Sequence, residues 1–169
     1  MVTIRQAQAN DIQSITEIYN EAITSTVSTF DIAPKSLSEQ NDWFMGHGPR
    51  NPILVAEKNN IIVGWAALSK WSNRCAYKKT AEISVYVKKD YQGKNIGRNL
   101  LKTIIKEGEN VGLHTLLALI TGENMASIHL HESLGFFHIG VIREVGYKFG
   151  RRLDVCIMQK IYPSPPMID

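Results

Sequence analysis

Apolar residues recur along the 169-residue chain at two spacings, and the switches between them divide it into elements. Val2 to Gln6 alternates apolar with polar, as a strand with one buried face does. Asp11 stands where a helix N-cap belongs. Behind it Ile12, Ile15, Ile18, Tyr19, Ala22 and Ile23 follow at steps of three and four, which draws one apolar stripe. Ser25 to Pro34 is rich in Ser and Thr, has no period and reads as a loop. A shorter helix is predicted from about Ser38 to Met45, stopped by Gly46-His47-Gly48-Pro49. Two apolar strands, Ile53 to Glu57 and Ile61 to Ser69, flank Asn59-Asn60, a pair that accepts the positive φ of a tight hairpin turn.

Thr80 to Lys88 alternates strictly. Ile83, Val85 and Val87 therefore face one side of a strand, and Glu82, Ser84 and Tyr86 the other. A Gly-containing loop leads into a helix from about Gly97 to Glu109, striped by Leu100, Leu101, Ile104 and Ile105. Leu116 to Thr121 is apolar throughout, which predicts a central strand. Asn124 to Leu134 is helical, with Gly135 as its left-handed stop. Strands from about Phe137 to Glu144 and Leu153 to Ile161 come last, linked through Gly146 to Arg151. The order β-α-α-β-β-β-α-β-α-β-β predicts a single α/β (α+β) domain over residues 1–162. Its central sheet is mixed but mostly antiparallel, with helices on both faces, and 163–169 form a tail.

Composition narrows the class. No apolar run approaches the ~20 residues of a membrane span, and the first residues lack the basic start and apolar run of a secretion signal. A net charge of +3, not gathered into one block, argues against nucleic acid. Cys75 and Cys156 have no metal-ligand spacing, so no metal is expected. Both read as free thiols in a reducing compartment, the cytoplasm.

The segment with the most chemistry is Gln92-Gly93-Lys94-Asn95-Ile96-Gly97-Arg98, between a strand and a helix. The first N–H groups of a helix are unpaired, and its dipole favours an anion there. Gly93 and Gly97 let the backbone approach a ligand, and Asn95 tolerates a left-handed conformation. Lys88, Lys89, Lys94 and Arg98 surround the loop with positive charge. A pyrophosphate fits this chemistry, although neither the dinucleotide pattern G-x-G-x-x-G nor the P-loop pattern is present.

Gln92 to Gly97 resembles the Q/R-x-x-G-x-G/A acyl-CoA signature of the GNAT superfamily of N-acetyltransferases, with Asn95 where that family usually has Gly. Asn124 to Phe136 resembles the family's N-x-x-A-x-x-x-[YH]-E-x-x-G-F helix. Trp71-Ser72-Asn73-Arg74, Tyr77, Glu82 to Val87, Glu144 to Gly150 and Leu153-Asp154 are similar to the branch of phosphinothricin and methionine sulfoximine/sulfone acetyltransferases.

The resemblance implies acetyl transfer from acetyl-CoA to the α-amino group of a small amino-acid analogue. Such a transfer needs a neutral amine, a polarised carbonyl and a departing thiolate. Glu82, a carboxylate on an otherwise apolar strand, is the expected base, since burial raises a carboxylate's pKa. His131 is the second candidate, able to give or take a proton beside the sulfur. Neither cysteine has a base partner evident in the sequence, so direct transfer is expected. The implied cofactor contacts are Val85, Tyr86 and Val87, the loop Gln92, Gly93, Lys94, Asn95, Ile96, Gly97 and Arg98, and Asn124 with Ser127. Arg74 is a candidate clamp for the acceptor's carboxylate, with Tyr77 beside it. Thr29 and Phe30 are placed on the opposite wall, and Lys148 is expected to reach the pocket from a neighbouring subunit of a homodimer. The competing readings are a protein N-terminal or lysine acetyltransferase, a non-catalytic acyl-CoA-binding module and a nucleotide-binding domain.

Overall fold

The computed structural model describes residues 1–163, so the expected tail lies, apart from Pro163, outside the described residues. In chain order the elements are β1 (Thr3–Gln6), α1 (Ile12–Ser25), α2 (Leu37–Met45), β2 (Ile53–Lys58), β3 (Ile61–Lys70), β4 (Thr80–Val87), α3 (Ile96–Asn110), β5 (Thr115–Thr121), α4 (Met125–Glu132), β6 (Phe137–Lys148) and β7 (Arg151–Ile161). The strands form one sheet in the order β1-β2-β3-β4-β5-β7-β6. Every neighbouring pair is antiparallel except β4 with β5. The expected mixed, mostly antiparallel sheet is what forms.

Helices cover both faces. Leu100, Leu101 and Ile104 of α3 pack with Leu68, Leu116 and Met158 of the sheet, all fully buried. On the opposite face Ile15 and Ile18 of α1 meet Val55, Trp65 and Ala67. Each such side chain contributes roughly 1.5–3 kcal/mol by leaving water. Ile83 and Val85 of β4 belong to the α3 side, while Tyr86 belongs to the α1 side, as the alternation requires.

The Asn59-Asn60 turn has both residues at positive φ (50° and 60°), which closes the tight β2–β3 hairpin. One local expectation holds in place and another needs correction. Asp11 is the N-cap residue of α1, but its side chain makes no capping bond, because its carboxylate is engaged by Arg5 (2.7 and 2.9 Å) and the Gln8 N–H (2.8 Å). The strand starting at Phe137 does not stop at Glu144 but continues to Lys148. The link is only Phe149-Gly150, both at positive φ. A bulge between Ile142 and Gly146 takes up the additional residues. There Glu144 sits at φ 52°, its N–H donating to Asp154 at 2.8 Å. Gly146 is a packing residue, not a turn residue: a Cβ on it would lie 2.3 Å from the Phe30 ring.

Candidate active site

The site begins where the sheet splits. β4 and β5 pair only at Thr80–Thr115, Ala81–Leu116 and Glu82–Leu117, yet β4 runs on to Val87 and β5 to Thr121. Beyond Glu82 the β5-facing edge of β4 has no strand partner. The Lys88 N–H donates to Val63 O of β3 at 2.9 Å. Alternation along the strand therefore turns the N–H groups of Val85 and Val87 towards the gap. The Gln92 side chain donates to Val87 O at 3.0 Å, tying the following loop to the strand end.

That loop carries two left-handed residues, Gly93 (φ 71°) and Asn95 (φ 61°, ψ 7°). They deliver the chain into α3 with Asn95 as N-cap, and its side chain makes no capping bond. The Asn95 carbonyl accepts from the Asn99 N–H, so the N–H groups of Ile96, Gly97 and Arg98 open the helix without intrahelical partners. A Cβ on Gly97 would meet only Val87 and Leu130 side chains at ordinary contact distance. A groove of about 690 Å³ runs between this loop, β4, the end of α1 and the start of α4. Every cofactor residue expected from the sequence lines it except Lys94, whose ammonium donates to Asp90 O at 2.8 Å. Arg98 lines the groove and also donates to Ser133 Oγ at 2.7 Å. Across the groove Asn124 accepts from the Ser127 N–H (3.2 Å) at the head of α4. A negatively charged diphosphate suits three free N–H groups, a helix N-terminus and Arg98.

A second chamber of about 320 Å³ lies on the α1–α2 side and shares Tyr86 with the groove. Its aromatic walls are Tyr19, Trp43, Trp65 and Tyr86, with ring centroids 4.9–5.9 Å apart. Its polar lining is Asp31, Lys35, Glu39, Gln40, Ser69 and Ser84. Glu82 stands beside this chamber, opposite Ser69 in the β3–β4 register and two residues from Ser84. Burial raises its pKa, which brings a carboxylate closer to the range of a useful base. His131 is 3 % exposed, and its Nδ1 bonds Ser127 O at 2.8 Å. Burial lowers its pKa, leaving a neutral imidazole stacked edge-on against Phe136. It lines neither cavity.

The family model described as acetyltransferase (GNAT) family matches residues 12–136, from the start of α1 through α4. The chain belongs to the GNAT acetyltransferase family. This acetyltransferase is 38% identical to the L-amino acid N-acyltransferase MnaT of Escherichia coli K12, over 94% of this chain and 92% of that one. It is also 38% identical to the L-methionine sulfoximine/L-methionine sulfone acetyltransferase of Salmonella typhimurium, over 94% and 93%. The structure of a GNAT superfamily phosphinothricin acetyltransferase from Sinorhizobium meliloti, in complex with acetyl-CoA, superposes with a TM-score of 0.93. That comparison has 34% identity and covers 99% of this chain and 92% of that one.

The residues that the sequence suggested for the acceptor side are placed unevenly. Arg74 and Tyr77 are exposed on the connection into β4, and neither lines the chamber. Thr29 is buried, its hydroxyl bonded to Tyr19 Oη at 2.9 Å, and Phe30 packs over Gly146. Lys148 is 4 % exposed, and its ammonium donates to Thr29 O of its own chain at 2.8 Å. The three residues together fasten the loop after α1 to the β6–β7 hairpin. The loop in turn supplies Val27 and Ser28 to the groove and Asp31 to the chamber.

Cys156 does have a partner that the sequence hid. Its Sγ lies 3.3 Å from His138 Nδ1, and His138 Nε2 lies 2.7 Å from Glu132. Burial and Glu132 push the thiol pKa up, so it stays protonated, and it lines neither cavity. The chamber residues on α2 were also missed, since no sequence pattern marks which polar positions of a short helix turn inward. Trp65 and Ser69 could have been found by pairing Ser69 with Glu82 across the hairpin, since alternate residues share a face.

Proposed function

We propose that this acetyltransferase moves the acetyl group of acetyl-CoA directly onto the α-amino group of a small amino-acid analogue, with Glu82 as the base. One observation carries the reading: the split after Glu82 puts an unpaired strand edge, a helix N-terminus and a half-buried carboxylate on the two ends of one strand. Acetyl-CoA supplies an activated acyl carbon and a thiolate leaving group. The loop Gln92–Arg98 and the head of α4 grip its diphosphate end. The Val85 N–H polarises the acyl oxygen, and such a preorganised donor is worth about 3–4 kcal/mol of barrier. Glu82 takes a proton from the acceptor's ammonium, directly or through water, so that the neutral amine attacks. The C–N bond forms as the C–S bond breaks, and the amine's second proton balances the departing thiolate.

His131 acts as a positioning residue, since its Nδ1 holds the Ser127 carbonyl on the α4 turn that borders the groove. Arg74 and Tyr77 are left to meet the acceptor's carboxylate, on a connection that ends two residues before Glu82. The small-amine acceptor is supported by the activities for which those relatives are named and by a chamber too small for a polypeptide. A homodimer is supported by the edge strand β6, which leaves Phe137, Ile139, Val141, Ile142 and Val145 exposed. A cytoplasmic setting is supported by the free, exposed thiol of Cys75.

The test is a panel of amino acids and analogues incubated with acetyl-CoA, with thiol release as readout. Release with methionine sulfone, methionine sulfoximine or phosphinothricin is expected. No release with any free amino acid, alongside acetylation of a peptide amine, would overturn the small-molecule reading.

A further inference from the structure

His47 stands in the sequence only as part of the stop after α2, yet the fold turns its ring onto β3. The residue is half-buried and edge-on to the Trp43 ring, with centroids 4.5 Å apart. Its Nδ1 lies 2.7 Å from Trp43 O, and its Nε2 lies 3.2 Å from Ser69 Oγ. A carbonyl oxygen can only accept, so Nδ1 carries the ring proton. Burial lowers the His47 pKa, which keeps the ring neutral at neutral pH. Nε2 is then a bare acceptor, and the Ser69 hydroxyl donates to it.

Ser69 stands opposite Glu82 in the β3–β4 register, on the face it shares with Trp65 and Ala67. The Cβ atoms of such a pair are about 4.5–5.5 Å apart, so a serine hydroxyl can reach a glutamate carboxylate. The Ser69 proton therefore has two possible acceptors, and it goes to His47. Glu82 has no hydrogen-bond partner among the described residues, and burial alone acts on its carboxyl. The other titratable groups of this chamber are Tyr19 on α1, Asp31 and Lys35 on the loop after it, Glu39 on α2 and Tyr86 on β4. Their bonds run to other groups, not to His47, Ser69 or Glu82, and on its β5 side Glu82 pairs with Leu117. A donor aimed at the carboxylate would favour its charged form and weaken it as a base. Resting on the reading of Glu82 as the base, we propose that His47 is a positioning residue of the transfer: by taking the Ser69 hydroxyl proton it keeps that donor off Glu82 and leaves the carboxylate free to take a proton from the amine. Protonation of the ring reverses the arrangement, because an imidazolium donates to Ser69 Oγ and turns the hydroxyl proton onto Glu82.

The test follows the Glu82 carboxyl by carbon NMR titration of the labelled full chain, assigned with Glu82→Gln, beside the pH profile of kcat/KM by thiol release. His47→Gln keeps an oxygen that accepts from Ser69 and cannot protonate. His47→Phe keeps a ring against Trp43 but offers no acceptor, and His47→Ala replaces it if the Phe variant does not fold. Glu82 is expected to titrate about one pH unit lower in the Phe variant than in the Gln variant, and the acid limb of kcat/KM to move with it. Adding Ser69→Ala to each variant should erase the difference, since the hydroxyl is the link between the two residues. A merely structural effect of His47 would survive that addition. Equal Glu82 titrations in the Gln and Phe variants, or a difference that persists with Ser69→Ala, overturns the proposal. A carboxyl that shifts as expected while the acid limb stays put refutes Glu82 as the base, and His47 with it as a residue of the transfer, although the hydrogen-bond coupling stands.

Discussion

Asn95 is the most informative residue to perturb, because the proposed diphosphate grip depends on its backbone. It sits at φ 61°, ψ 7°, and the three N–H groups after it open α3. An L-residue with a Cβ loses roughly 1–2 kcal/mol in this left-handed region, Asn less than Ala because its short side chain bonds locally, and Gly nothing. Asn95→Ala should therefore cost about 1 kcal/mol relative to wild type, divided between folding and cofactor binding. If all of it fell on binding, the CoA dissociation constant would rise about fivefold. If all of it fell on folding, a domain of this size would melt roughly 2–4 °C lower. Asn95→Gly should lose neither. Titration calorimetry with CoA and thermal denaturation of the three proteins together account for the total. Equal behaviour of the Gly and Ala variants, or an Ala variant unchanged in both measurements, would refute the assignment of the loop's geometry to this residue.

Other perturbations test separate links. Glu82→Gln should lower kcat by at least about 100-fold while leaving CoA affinity intact. Because burial raises the Glu82 pKa, wild-type kcat/KM should climb with pH through that raised value, and the Gln variant should be flat there. The same sign applies to stability. The ionised carboxylate is the disfavoured form in the fold, so the melting temperature of Glu82→Gln should gain on wild type as pH rises through that window. Gly146→Ala places a methyl group 2.3 Å from the Phe30 ring, which should cost about 1–3 kcal/mol by urea denaturation and raise KM for the acceptor. A variant as stable as wild type would show that the loop after α1 is not pinned there. Val141→Arg on the exposed edge of β6 should convert a dimer to a monomer by light scattering, and a wild-type monomer would remove the dimer proposal.

The regular parts of this molecule were legible because their hydrophobic periods are undisturbed. The stripe of α3 and the alternation of β4 specify not only elements but faces, and Glu82, Ser84 and Tyr86 do share one. The loop before α3 was legible for a different reason: Gly93 and Asn95 are among the few residue types that tolerate positive φ, so their chemistry announces their conformation. Gly146 misled by the same logic, since glycine also serves where a neighbour needs the space of a Cβ. That neighbour, Phe30, lies 116 positions earlier, and no local pattern connects the two. The chamber was illegible for a related reason. Gln40, Asp31 and Lys35 are ordinary surface types, and only the packing of α2 and its preceding loop against β3 brings them to one wall. Three ties made by residues far apart, Lys148 to Thr29, Thr121 to Val27 and Tyr86 to Ser28, hold that loop in place. They use side chain to carbonyl bonds, which leave no period in the sequence. The proposed cofactor end of the site is therefore built from local backbone chemistry, and the proposed acceptor end from long-range packing. Relatives that share the first can differ in the second, which is why a matching acyl-CoA signature says little about the amine.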